Sequence, residues 1–223
     1  MKAILFSLLA GTVLLTSCTK DNFEPPKSTL TGRVIYDNQP VGVRTNGVQL
    51  ELWQRGYQLF TKIPVQVAQD GTFSAVLFDG TYKLVRLRGN GPWVDNTDTI
   101  SVQVSGAATI DVPVQPYYVI RNETIQRSGN NLTASCTVSQ ATPGRAIERV
   151  TMYVGTTQFV DVTNNVGAVN LTGTALADLS KPLPLTLTLP AAVSGRSYFY
   201  ARIGVKTLGV AELLYTPVRK IAL

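Results

Sequence analysis

The feature that most constrains this chain is a period of two in its apolar residues. Val48, Leu50 and Leu52 alternate with Gln49, Glu51 and Trp53, and the same beat runs through Ile100, Val102 and Val104 and through Ile110, Val112 and Val114. It continues at Leu132, Ala134, Cys136 and Val138, at Val150, Met152 and Val154, and at Leu183, Leu185, Leu187 and Leu189. Side chains alternate across a strand, so each run fits a half-buried β-strand. Turn signals punctuate the runs at Asp37-Asn38-Gln39-Pro40, Asp70-Gly71 and Asp79-Gly80. There an aspartate hydrogen-bonds its own backbone and a glycine accepts positive φ. No convincing 3.6-residue apolar repeat competes with this pattern. The expectation is an all-β protein of two β-sandwich domains in tandem, residues 30–116 and 117–223, with Gln115-Pro116 closing the first.

The N-terminus reads differently. A single charge, Lys2, precedes the apolar run Ala3 to Leu15. That run is shorter than the ~20 residues a spanning helix needs, and it fits the apolar region of a secretory signal. It ends in Leu15-Thr16-Ser17-Cys18, which resembles the bacterial lipobox. The resemblance implies a signal peptide over 1–17, cleavage before Cys18 and alkylation of the Cys18 thiol with diacylglycerol. Acyl chains would then hold the protein on a membrane without spanning it. Residues 18–29 would form the lipidated cysteine and a polar tether with Pro25-Pro26 inside it, ~30–35 Å long if extended. Lys20-Asp21 and Glu24 in that tether loosely resemble the export signals of surface lipoproteins in the Bacteroidetes.

Composition narrows the chemistry. The 223 residues include no histidine and only two cysteines, which excludes an imidazole-dependent nucleophile, a histidine metal site and a disulfide framework. With Cys18 assigned to the anchor, Cys136 shares the apolar parity of its strand and reads as a small buried hydrophobe. A carboxylate pair would be the remaining route to glycan hydrolysis. However, Asp37, Asp70 and Asp79 belong to turns, Asp21 and Glu24 to the tether, and Glu51, Glu123 and Glu148 to strand faces read as solvated. Asp95, Asp98, Asp111, Asp161, Asp178 and Glu212 show no local pairing. No catalytic residue, metal or cofactor is expected. Asp95-Asn96-Thr97-Asp98 lacks the alternating spacing of a calcium loop and reads as a polar turn.

Particular strings carry resemblances. Leu30-Thr-Gly32-Arg-Val34, Gly47-Val48-Gln-Leu50, Asp70-Gly71-Thr-Phe73 and Gly80-Thr-Tyr82-Lys-Leu84 look like a carboxypeptidase-regulatory-like (transthyretin-like) sandwich. Gly195-Arg-Ser-Tyr198-Phe-Tyr-Ala-Arg202-Ile-Gly-Val205 looks like the F-strand region of an immunoglobulin-like or fibronectin-III-like sandwich. Parity then places Phe199, Ala201, Ile203 and Val205 inward and Tyr198, Tyr200 and Arg202 outward. With the lipobox, Gly89-Asn-Gly91-Pro92-Trp93 and Val114-Gln-Pro116-Tyr117, the whole resembles an uncharacterised family of Bacteroidetes outer-membrane lipoproteins encoded beside SusC/SusD-type glycan importers. The resemblance implies an outer-membrane, cell-surface location and a role in polysaccharide uptake, by binding glycan or by docking on a SusC/SusD-type complex. A structural scaffold without a glycan site is the alternative.

Sugar recognition without catalysis needs rings for the C–H face and polar groups for the hydroxyls. Two places qualify. The loop Arg86 to Asn96 offers Arg86, Arg88, Asn90, Trp93, Asp95 and Asn96. Trp53 stands alone on the face opposite Leu50 and Leu52. Trp93 either meets a ligand or packs on its own loop or the second domain, and Trp53 either meets a ligand or covers a sheet edge. Tyr117-Tyr118 are read as interdomain packing. Residues 30–116 hold 7 basic and 7 acidic side chains and residues 117–223 hold 10 and 5. The basic residues of the second domain are scattered, so nucleic acid is not an expected partner. Asp98-Thr99-Ile100 resembles the short O-glycosylation signal of the same phylum.

Overall fold

The computed structural model describes residues 24–56 and 59–223. The expected signal peptide, Cys18 and most of the tether lie outside the described residues. The first domain comprises β1 (Ser28–Tyr36), β2 (Gln39–Pro40), β3 (Gln49–Trp53), β4 (Lys62–Gln66), β5 (Thr72–Leu77), β6 (Gly80–Arg86), β7 (Thr99–Val104) and β8 (Ala107–Pro113). The second comprises β9 (Tyr118–Ser128), β10 (Asn131–Gln140), β11 (Ile147–Gly155), β12 (Gly167–Leu171), β13 (Leu183–Thr188), β14 (Tyr198–Thr207), β15 (Leu214–Tyr215) and β16 (Arg219–Ala222). The protein is all-β, in two tandem domains.

In the first domain β1 lies at the centre of one sheet, paired with β5 antiparallel and with β8 parallel. The second sheet runs β4-β3-β6-β7 and is antiparallel throughout. Asp37 and Asn38 both take positive φ (53° and 58°), the conformation that closes the tight β1–β2 hairpin. Ser28, at the start of β1, donates to Asp79, which also accepts from the Gly106 backbone N–H at 3.0 Å. These bonds hold the Asp79 carboxyl below its ordinary range, the Ser28 bond first. The N-terminal strand is thereby fastened at the end where the tether arrives.

In the second domain β13-β10-β9 faces β12-β11-β14-β15, with β16 pairing further along β14. The alternating residues supply the core: Leu132, Cys136, Val138, Val150, Met152 and Leu185 are all at most 1% exposed. Burial pushes the Cys136 thiol up to about 11, with Glu123 adding to the shift. A raised thiol pKa contributes stability that is complete below the unfolded value near 9 and is lost as pH climbs through about 11. Native protein should therefore resist thiol reagents at Cys136 at pH 8 and react stoichiometrically only after denaturation. Rapid labelling of native protein would contradict this burial.

One continuous core runs through both domains. Their seam is closed by backbone pairing of Gly42 with Tyr215, whose N–H donates to the Gly42 carbonyl at 2.9 Å. Beside it Arg44 grips Glu212 through two bonds of 2.7 and 2.8 Å, a fork that raises the Arg44 pKa. The third member is Arg202. Parity places it outward from the second sandwich, as expected, yet it is 0% exposed. Its guanidinium lies 4.1 Å from the Tyr215 ring centroid, and Nη2 donates to the Val43 carbonyl of the first domain at 3.1 Å. The outer face of β14 is solvated at Tyr198 and covered at Arg202, because the Gly42–Val43 segment lands there.

Candidate functional site

The Arg86–Asn96 loop is satisfied from within. Arg86 is buried, with Nη1 donating to the Pro113 carbonyl at 2.7 Å and Nη2 to the Asp98 carbonyl at 3.2 Å. Asn90 accepts from the Gln49 N–H at 2.6 Å and donates to the Gly47 carbonyl at 3.2 Å, clamping the start of β3. Asp95 accepts from the Gly89 N–H at 2.7 Å, with Arg88 a loose 3.9 Å away and exposed. Asn96 accepts from the Asp98 N–H at 2.6 Å, a local turn bond. Trp93 is only 6% exposed, and its ring lies over Gly91 so closely that a Cβ there would sit 2.2 Å from it. The expectation that this loop presents a sugar platform is corrected for Trp93 and Arg86. The ring has no free face, and the two terminal nitrogens of the guanidinium already meet backbone carbonyls. Asn90, Asp95 and Asn96 hold the loop in shape.

Trp53 is placed differently. It ends β3 half-buried, on the outer face of the β4-β3-β6-β7 sheet, level with Lys62 on one side and Lys83 on the other. Its indole N–H donates to Glu51 at 3.2 Å, and the same carboxylate accepts from Lys62 at 2.7 Å. Glu51, expected on a solvated face, is in fact only 6% exposed because these two side chains cover it. Phe60, outside the set the sequence singled out, stands 5.1 Å from the Trp53 ring at 43° and is 54% exposed. Leu59, Val76 and Phe78 are also exposed in this domain. An indole fixed through its N–H, an exposed phenyl and two lysines form a surface suited to packing a sugar ring and bonding its hydroxyls.

A third feature was not anticipated. Between the domains lie two adjoining clefts of about 420 and 300 Å³ that share Gln69, Asp70 and Pro217. Tyr36 lines one and Tyr200 the other. Parity marks Tyr200 as outward. The partner wall comes from a turn about 130 residues earlier in the sequence, which no local pattern supplies.

These observations define a tandem β-sandwich protein with an aromatic surface platform on its first domain and a cleft at its domain seam. The chain belongs to the DUF3823 family. Residues 28–115 match the profile described as "Protein of unknown function (DUF3823) N-terminal domain", and residues 118–220 match "Domain of unknown function (DUF3823_C)". A DUF3823 family protein from Bacteroides ovatus is 39% identical, with a TM-score of 0.83 over 88% of this chain and 100% of its own. One from Parabacteroides merdae is 35% identical, with a TM-score of 0.81 over 89% of this chain and 100% of its own. A Bacteroides uniformis structure described as a "putative carbohydrate binding protein" shares the fold at 18% identity, with a TM-score of 0.72 over 89% of this chain and 100% of its own. Comparison with curated proteins gave no match.

Proposed function

We propose that this protein is a non-catalytic, lipid-anchored glycan-binding protein of the outer-membrane surface, accessory to a SusC/SusD-type polysaccharide uptake system. The observation that carries the reading is the Trp53–Phe60 pair. Two rings, one fixed and one exposed, stand beside a lysine-bridged carboxylate on an otherwise polar sheet face. Exposed aromatics with polar neighbours suit a ligand that is apolar on one face and hydroxylated at its rim. The fold shared with a structure described as a "putative carbohydrate binding protein" agrees with this reading. The anchor follows from Leu15-Thr16-Ser17-Cys18. Docking on the importer would use the same exposed surface.

The scaffold reading is favoured by a different observation, the locked seam of Gly42–Tyr215, Arg44–Glu212 and Arg202–Val43, which makes one rigid spacer of two domains. One cell-based experiment separates the two readings. Cells expressing wild type, Cys18→Ala and Trp53→Ala are fractionated, and the extracted proteins are run through affinity gels containing a panel of polysaccharides. Wild type should be membrane-bound and retarded by at least one glycan. Cys18→Ala should lose its acyl chains and its normal processing, and Trp53→Ala should stay anchored but bind about tenfold or more weakly, as for loss of an aromatic anchor. An unretarded wild type leaves the scaffold reading, and a Cys18→Ala protein that is membrane-bound and normally processed removes the anchor.

A further inference from the structure

We infer that the cleft between the domains is a second saccharide site, selective for neutral chains. This rests on the carbohydrate-binding reading and adds a location to it, at the opposite end of the first domain from Trp53. The strand β1 runs from the Ser28 end near the platform to Tyr36 at the cleft, which separates the two by about 30 Å. A chain of several sugar units would be needed to touch both.

Asp70 lines both halves of the cleft. Gln69 contributes to both halves. Asp70 uses one carboxylate oxygen to hold Thr72, through the N–H at 3.0 Å and the hydroxyl at 2.7 Å. Its second oxygen has no partner among the described residues. The cations nearby are already engaged. Lys220 sits 3.7 Å over the Tyr198 ring, Arg121 is 3.5 Å from Asp37, and Arg219 binds Glu123 at 2.8 Å. Asp70 therefore offers the cleft a carboxylate oxygen that a sugar hydroxyl can donate to and that repels the carboxylate of an acidic sugar. Tyr36 and Tyr200 supply rings for the sugar's C–H face.

The cleft is also preformed. Its floor includes Gly42 and Tyr215, the backbone pair that joins the domains. One wall is the β9 segment around Asn122, which takes φ +52° at the bulge where the β9–β10 register shifts. A non-glycine residue in the left-handed region at a bulge marks a place where strand geometry yields to another requirement. A cleft of 300–420 Å³ between domains lies within the usual size and setting of a small-ligand site, about 300–1,000 Å³.

The test uses the full mature chain and calorimetric titration with neutral hexasaccharides of the gluco-, manno- and xylo- series. A uronic-acid hexasaccharide serves as the charged control. Asp70→Asn keeps an oxygen for Thr72 while removing the charge, and Tyr200→Ala removes the ring. Wild type should bind at least one neutral hexasaccharide in preference to the acidic one. Asp70→Asn should bind about tenfold more weakly with an unchanged melting temperature, the effect of one lost bond to a charged acceptor. Tyr200→Ala should weaken binding as well. Binding that survives both variants and disappears only in Trp53→Ala overturns the cleft and leaves the carbohydrate reading standing. Loss in the cleft variants with retention in Trp53→Ala supports the cleft against the platform. Preference for the acidic sugar overturns the assigned selectivity, and absence of all binding removes both proposals.

Discussion

Replacing Arg202 by alanine should cost about 3–5 kcal/mol of folding stability, the range for truncating a large, fully buried side chain. The guanidinium is wholly buried, and burial pulls its pKa down to about 10, well below the ordinary guanidinium range, with Tyr215 and Asp161 pulling the other way. It persists there because the Tyr215 ring and the Val43 carbonyl replace water on two sides. Truncation leaves that carbonyl unpaired at the seam and opens a side-chain-sized void. Arg202→Met separates packing from charge. It refills most of the volume and removes the cost of a buried cation, so it should lose less than half as much. Guanidinium denaturation of the three proteins measures both effects. The reduced pKa also has a sign. Above about pH 10 the unfolded chain binds the Arg202 proton more tightly than the folded one, so this group's contribution to stability rises with pH. Tyr215, raised by burial, contributes in the opposite direction over the same window. Equal stability of wild type and Arg202→Ala would show that the seam does not depend on this residue.

Gly42→Ala should have the next largest effect, about 1–3 kcal/mol by overpacking. A Cβ at this position would sit 2.4 Å from the Tyr215 carbonyl oxygen and 3.5 Å from Arg202 Nη2. The first neighbour is backbone and cannot swing aside, so the strain must be relieved by parting the Gly42–Tyr215 pair. That pair is where the two domains exchange a backbone hydrogen bond. The expected signature is a lower melting temperature with a newly protease-sensitive junction near Pro116–Tyr118. Because the two sites touch, Gly42→Ala with Arg202→Ala should cost less than the sum of the separate losses. A melting temperature within one or two degrees of wild type, with the junction still protected, would show that the seam accommodates the methyl.

The fold was legible because its signal is local. The alternation from Leu132 to Val138 and from Phe199 to Val205 names the inward face of β10 and β14 without reference to any other part of the chain. Asp-Asn and Asp-Gly name their turns for the same reason. The loop from Arg86 to Asn96 misled because composition records which groups are present and not whether they are already bonded. Parity does hold a clue: Tyr82, Leu84 and Arg86 share a face, and all three are buried. Nothing local shows that Gly91 lets the Trp93 ring lie flat against the backbone. Trp53 was placed on the outer face of its sheet by the same counting, but Phe60 beside it belongs to the β3–β4 connection, which has no period to read.

The sequence by itself determined an all-β chain in two tandem domains, the inward face of each main strand, the isolation of Cys136 and the absence of imidazole chemistry. Only the tertiary structure decided which outward residues meet water. Arg202 and Tyr198 have the same parity on one strand; one is wholly buried and the other is 41% exposed. Arg44 and Glu212, 168 residues apart, close the seam that makes this difference. The pleat of a strand fixes side-chain direction over two residues, whereas covering a face requires a remote segment to arrive on it. The interdomain cleft is a property of that arrival, and so it became visible only once both domains were in place.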